Sequence, residues 1–179
     1  MKKIFYLVLL VPAILLSSCS KDSSDNTPTT YPVNGVWQYN YEVIDGVDWI
    51  ALGYNTYLFI WEDDGIWGTE VYDINGFITD YSQVGTFTMS SNQQTAVFTI
   101  EGSYDSYNAE WIWLNTPIAA NATIDKLDND EMDFTITLDG STQIVRSDLT
   151  TIALPNPFNN DNLQHRKNML DKVMELKAK

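Results

Sequence analysis

Val36-Trp37-Gln38-Tyr39-Asn40-Tyr41-Glu42-Val43 decides the fold class of this chain. Aromatic or apolar side chains stand at 37, 39, 41 and 43, with Gln38, Asn40 and Glu42 between them. Successive side chains leave a β-strand on opposite faces, so a period of two marks a half-buried strand. One face, with Trp37, Tyr39, Tyr41 and Val43, is expected inside and the other in water.

Downstream the same texture repeats at short intervals. Thr56–Trp61, Ile66–Tyr72, Gly85–Met89, Thr95–Glu101, Glu110–Leu114, Thr123–Leu127, Met132–Leu138 and Thr142–Arg146 all read as strands. Asp64-Gly65, Asn75-Gly76 and Asp139-Gly140 mark turns between them, because glycine accepts the positive φ that tight hairpins require. Gly102–Ala109 and Asn115–Asn121 read as loops flanking Trp111-Ile112-Trp113. No helix-length apolar pattern interrupts the series, which argues for an antiparallel sandwich or barrel and against a βαβ protein. Consecutive hairpins favour an up-and-down meander. About eight or nine such strands lose their exposed edges most simply by closing into a barrel. The pattern then breaks at Asn156-Pro157-Phe158-Asn159-Asn160, and a C-terminal α-helix is expected from Asp161 to Lys177. Its acidic start and Lys-rich end suit the helix dipole. Leu163, Leu170, Val173 and Met174 would face the barrel wall.

The other end of the chain carries an address. Lys2 and Lys3 precede an apolar run, Ile4 to Leu16, and then Leu16-Ser17-Ser18-Cys19. The run is shorter than the roughly 20 residues of a membrane-spanning helix, and the order matches a signal sequence. Leu-Ser-Ser-Cys resembles a lipobox, which implies cleavage before Cys19 and lipid on its sulfur and new amino group. Anchoring by two or three acyl chains is stable where one is marginal. Residues 1–18 are thus expected to be a lipoprotein signal peptide. Residues 19–32 would be the lipidated cysteine with a polar, flexible linker, 33–154 the barrel, and 155–179 the helix. The expected location is the outer membrane. Ser20 leaves out the Asp of an inner-membrane retention signal. Lys21-Asp22 with Asp25 is only loosely like a surface-export signal, so the membrane face stays open.

Composition limits the chemistry. The formal charge is −14, from 24 Asp and Glu against 10 Lys and Arg. Nucleic acid is excluded as a partner, since binding it needs a basic face. Basic residues concentrate after His165, beside an acidic body that favours solubility. The basic tail could dock on that body or on anionic head groups. Cys19 is the only cysteine and His165 the only histidine, so no disulfide, thiol nucleophile, triad or zinc site is expected. Glu110 beside Trp111 is the one carboxylate worth inspecting for glycosidase chemistry. Asp125, Asp128, Asp130, Glu131 and Asp133 crowd one turn, but Met132 falls where a calcium loop needs a ligand and no Gly is present. No phosphate loop appears. The chain is not expected to be an enzyme, and no cofactor or metal is implied.

Several segments together resemble the small lipocalin-like lipoproteins of Bacteroidota. Gly35-Val36-Trp37 is similar to that family's first-strand Gly-x-Trp. Trp61-Glu62-Asp63-Asp64-Gly65-Ile66-Trp67 resembles its aromatic-flanked Asp-Gly hairpin, and Gly85-Thr86-Phe87-Thr88-Met89 its Gly-Thr-aromatic-Thr strand. Ile124 to Met132 resembles its Ile-x-x-Leu-turn-Glu-Leu hairpin. The likeness covers Val33 to Arg146 and implies a lipocalin-like barrel whose interior can hold a small apolar or amphipathic molecule. Alternation counted from the hairpin puts Trp37, Tyr39, Tyr57, Phe59, Trp61, Trp67, Phe87, Phe134 and Ile136 inside. Of these, Tyr39, Tyr57, Phe59, Trp61, Trp67 and Phe87 are the candidate ligand-binding residues. The same side chains could equally fill the barrel. A filled barrel would make the protein an interaction module, holding a glycan or protein through Trp49, Tyr54, Tyr104 and Tyr107. It could also be an accessory subunit of an envelope complex, with the helix as its contact.

Overall fold

A computed structural model describes residues 30–151 and 164–179, with side chains of the terminal helix from residue 171 onward. The signal segment, Cys19, most of the linker, the Asn156–Asn160 break and the expected helix start lie outside the described residues. So do the side chains of Leu163, His165 and Leu170.

Nine strands follow in order: β1 Gly35–Ile44, β2 Val47–Asp48, β3 Asn55–Trp61, β4 Ile66–Tyr72, β5 Gln83–Met89, β6 Thr95–Asp105, β7 Glu110–Leu127, β8 Glu131–Leu138 and β9 Ser141–Leu149. From β3 to β9 each strand pairs antiparallel with the next, β1 pairs with β3, and β9 returns to pair with β1. The result is a closed, eight-stranded, all-antiparallel, up-and-down barrel of the lipocalin-like kind. Short β2 is added on the end of β1. Closure pairs each of the eight barrel strands on both sides, so long open edges are removed. The expected Asp139-Gly140 turn has φ of 49° and 85°, the pair of positive values a tight type I′ hairpin needs.

All of one expected loop and the first half of the other are strand, while 106–109 form a turn as expected. β6 continues to Asp105, and β7 runs unbroken through the predicted Asn115–Asn121 loop. Pro117 hid this, since proline cannot donate to a ladder. The sheet accommodates it in a bulge: Ile100 pairs with Ile118 and Gly102 with Trp113, so Glu101 alone faces four residues of β7.

The interior phase also differs from expectation on two strands. On β1, Tyr39 pairs with Ser147 but Tyr41 with Arg146, leaving Asn40 as an extra residue. That bulge flips the alternation. Tyr41 is only half-buried, with the Arg146 guanidinium 4.9 Å from its ring centre, while Glu42 is buried. On β3, Leu58 and Ile60 join the interior cluster, whereas Tyr57, Phe59 and Trp61 pack in a second cluster on the outer wall. The turn explains it. Glu62–Asp64 forms one 3-10 turn closed by Gly65, so Trp61 pairs with Ile66 and Ile60 with Trp67. Directly paired residues share a face. Trp61 and Trp67 therefore lie on opposite faces.

The outer cluster exists because the terminal helix α1, Gln164–Lys177, covers it. Val173 and Leu176 are buried there against residues that include Val36, Phe59, Trp61, Ile66 and Val84. Met174, expected on this side, is instead exposed. Lys177 reaches Asp64 at 2.7 Å and Lys179 reaches Glu101 at 3.6 Å. The basic tail thus docks on the acidic barrel. The Trp113 indole N–H donates to Glu175 at 2.5 Å, and that bond leads the effects holding the Glu175 carboxyl below its ordinary range.

Candidate functional site

The barrel is filled at one end and hollow at the other. At the end where β1 begins, Val33 is buried in the interior cluster and accepts the Trp37 indole N–H at 2.9 Å. Val33 N–H donates to Glu62 at 3.2 Å, and Tyr31 N–H to Gln93 at 2.7 Å. Trp37, Ile60, Phe87 and Met132 occupy this half without appreciable exposure. Phe98 then stacks on Phe87 at 6.1 Å and on Phe134 at 5.9 Å, with Trp67 edge-on at 5.2 Å. Tyr39 meets Phe134 edge-on at 6.0 Å. These rings form a floor, and their T-shaped and offset contacts fix one another's positions.

Above the floor, toward the end of β1, lies a cavity of about 140 Å³. Tyr39, Leu58, Trp67, Phe98, Phe134 and Ile136 form its apolar side; Glu42, Thr56, Thr69, Gln83 and Gln143 are its polar groups. Trp49 and Tyr81 close over it, 4.6 Å apart and nearly perpendicular, with Tyr54 against Trp49 at 4.7 Å. An adjoining hollow of about 150 Å³ shares Ile44, Trp67, Gln83, Phe98, Ile136 and Gln143 with it, and extends to Ile100, Ala120 and Leu138.

The space owes its existence to a short ladder. β4 and β5 pair only over Ile66–Gly68 against Val84–Thr86. Beyond it the strands part, and side chains bond to backbone instead. Thr69 Oγ1 accepts Gln83 N–H at 3.0 Å, and Ser82 Oγ accepts Val71 N–H at 2.8 Å. The wall stays satisfied while the interior widens. Trp67 is fixed at the widening point, its indole N–H shared between the Thr86 and Thr99 carbonyls at 3.0 and 3.3 Å.

Glu42 is the one carboxylate in the lining. It is 5 % exposed. Thr56 Oγ1 donates to its Oε2 at 2.9 Å, and Gln143 Nε2 to its Oε1 at 2.6 Å. Burial pushes its pKa above the ordinary carboxylate range; the two hydrogen bonds pull the other way without cancelling it, and Asp48 adds a small upward push. Burial, and secondarily the Glu42 charge, likewise holds the Tyr39 phenol protonated well above its usual range.

Of the six candidate residues, Tyr39 and Trp67 line the cavity, Phe87 lies inside the barrel in the filled half, and Tyr57, Phe59 and Trp61 lie outside under the helix. Glu42 and Thr56 were hidden by the Asn40 bulge and the phase of β3. Phe98 was legible, since Ala96, Phe98 and Ile100 alternate plainly. Of the expected surface aromatics, Tyr104 is buried against Trp111, Trp49 roofs the cavity, and Tyr107 is 94 % exposed. Glu110 sits exposed at a hairpin end opposite Asp105, whose carboxylate is held low first by its bonds from Asn108. In the acidic turn, Asp128 accepts the N–H groups of Asp130 and Glu131, and Lys126 pairs with Glu131 and Asp128. Among the described residues no group of three or more His, Cys, Asp or Glu is placed to hold a metal ion, and no helix is long and apolar enough to cross a membrane. Compared with protein-family models and with curated proteins, the chain matches none.

Proposed function

We propose that this chain is a lipid-anchored envelope protein of the lipocalin-like kind, held in the outer membrane through Cys19, that binds a small apolar or amphipathic molecule in its barrel. The observation that carries the proposal is the half-hollow interior, aromatic below, with a few polar groups converging from the walls. That mixture is what a small-molecule pocket needs. The two hollows are modest. A cavity of about 150 Å³ admits one benzene-sized molecule, so the ligand is a single ring or a short chain.

Two measurements test this. Native mass spectrometry of protein purified from its own envelope should show an adduct of small-molecule mass, lost on denaturation. No adduct, together with no quenching of Trp49 and Trp67 fluorescence by ring-sized apolar compounds, would overturn the binding role. The variant Cys19→Ser should move from the membrane to the soluble fraction; retention in the membrane would remove the anchor.

An interaction module is the second reading, favoured by the exposed Ile74, Phe77, Tyr81 and Tyr107. Phe77 and Tyr81 line an open groove of about 700 Å³ between the β4–β5 connection and the β6–β7 hairpin. Loss of glycan or protein capture on Phe77→Ala and Tyr107→Ala, with small-molecule binding intact, would favour it.

A further inference from the structure

Glu42 is out of place in a purely apolar pocket. A carboxyl that is almost fully buried normally has a cation beside it, because burying an ion alone is costly. Among the described residues none is paired with Glu42. Its two partners, Thr56 and Gln143, are neutral donors, and each carboxylate oxygen keeps a further lone pair. Glu42 belongs to the lining of the cavity, as do both of those partners. The aromatic rings of Tyr39, Trp49 and Trp67 line the same space, and ring faces attract organic cations. The chain as a whole carries −14, which raises the local concentration of cations and repels anions.

We propose that Glu42 anchors the ligand and that the ligand is a small organic cation, an amine bearing one ring or a short alkyl chain. The proposal rests on the binding role inferred above. The ammonium would donate to Glu42 and lie against the aromatic faces, and its apolar body would fill the space toward Phe98 and Ile136. Burial raises the pKa of Glu42, and at a pH where the carboxyl holds a proton an arriving ammonium displaces that proton to solvent, leaving a neutral pair. The other titratable groups that act on Glu42 are Tyr39 on β1 and Asp48 on β2. The facing side chains from β3 and β9 are the neutral Thr56 and Gln143.

Calorimetric titration with three probes of one shape tests it: 2-phenylethylamine, 2-phenylethanol and phenylacetate. The wild-type protein should prefer the amine to the alcohol by about tenfold or more, as a desolvated charge pair allows, and reject the carboxylate. Glu42→Gln should abolish the preference for the amine over the alcohol. In the wild type, amine affinity should fall as pH is lowered through the Glu42 titration, with alcohol affinity unchanged. That measurement needs no variant and holds even if Glu42→Gln folds poorly. Equal binding of amine and alcohol, or an amine preference that survives in Glu42→Gln, overturns the proposal and leaves the binding role standing. Failure of all three probes overturns both.

Discussion

Adding a single methyl group at Gly85 should unseat the wall of the cavity. Gly85 lies on β5 between Trp67 of β4 and Ile100 of β6. A Cβ built there would sit 1.8 Å from the Thr99 carbonyl oxygen and 2.9 Å from its carbon. Non-bonded carbon contacts settle near 3.5 Å, so β5 and β6 would have to part by about 1.7 Å. The obstacle is backbone and cannot rotate away. Thr99 and Thr86 are also the two acceptors of the Trp67 indole N–H. Parting the strands strands that donor in a buried place. Overpacking costs about 1–3 kcal/mol and an unsatisfied buried donor about the same again, so Gly85→Ala should destabilise the domain by about 4 kcal/mol. At about 2–4 °C per kcal/mol for a domain of this size, melting should fall by about 8–16 °C. Thermal denaturation followed by tryptophan fluorescence measures it. Gly102→Ala, whose Cβ would meet nothing nearer than 3.1 Å, should cost less. A Gly85→Ala protein melting within about 2 °C of wild type would refute the close approach on which the strand spacing depends.

Leu58 and Tyr57 test the phase of β3. Leu58→Ala should cost about 2–5 kcal/mol in urea denaturation, since Leu58 is fully buried inside, and half-buried Tyr57→Ala should cost less; the reverse order would restore the aromatic face to the interior. A chain ending before residue 164 should melt lower and bind more of an apolar dye, because Val36, Phe59, Trp61 and Ile66 lose the cover of Val173 and Leu176. Unchanged dye binding would show that the helix is dispensable to the wall. Glu42 sets a pH slope. Its folded pKa is raised, so its contribution is fully present below the unfolded value and is lost as pH rises through the folded one. Urea titrations between about pH 4 and pH 7 should show wild type losing ground to Glu42→Gln as pH rises; parallel curves would mean the carboxyl titrates normally.

The strands and turns were readable because their causes are local. Period-two alternation, Asp139-Gly140 and Asn75-Gly76 act within a few residues. What failed to read depended on distant partners. Tyr57, Phe59 and Trp61 alternate with Leu58 and Ile60, so β3 is apolar on both faces. Nothing in such a run says which face is inside. The turn and register put Trp61 outside, where it joins the cluster that helix α1, more than 100 residues later, completes. Asn115–Asn121 read as a loop, and only the pairing with β6, with Pro117 held in the bulge, makes it strand. Asn40 looked like one more polar position, and only its pairing with β9 made it the extra residue that turns Glu42 inward.

By itself, then, the sequence determined an acidic, all-β chain of consecutive hairpins. Those are properties of neighbouring residues and of composition. The tertiary structure decided where the barrel closes, that one half is filled and the other hollow, and that a carboxyl faces the hollow. Each depends on register. A shift of one residue exchanges the two faces of a strand, and where a strand is apolar on both faces its register is left to the turn and the partner strand.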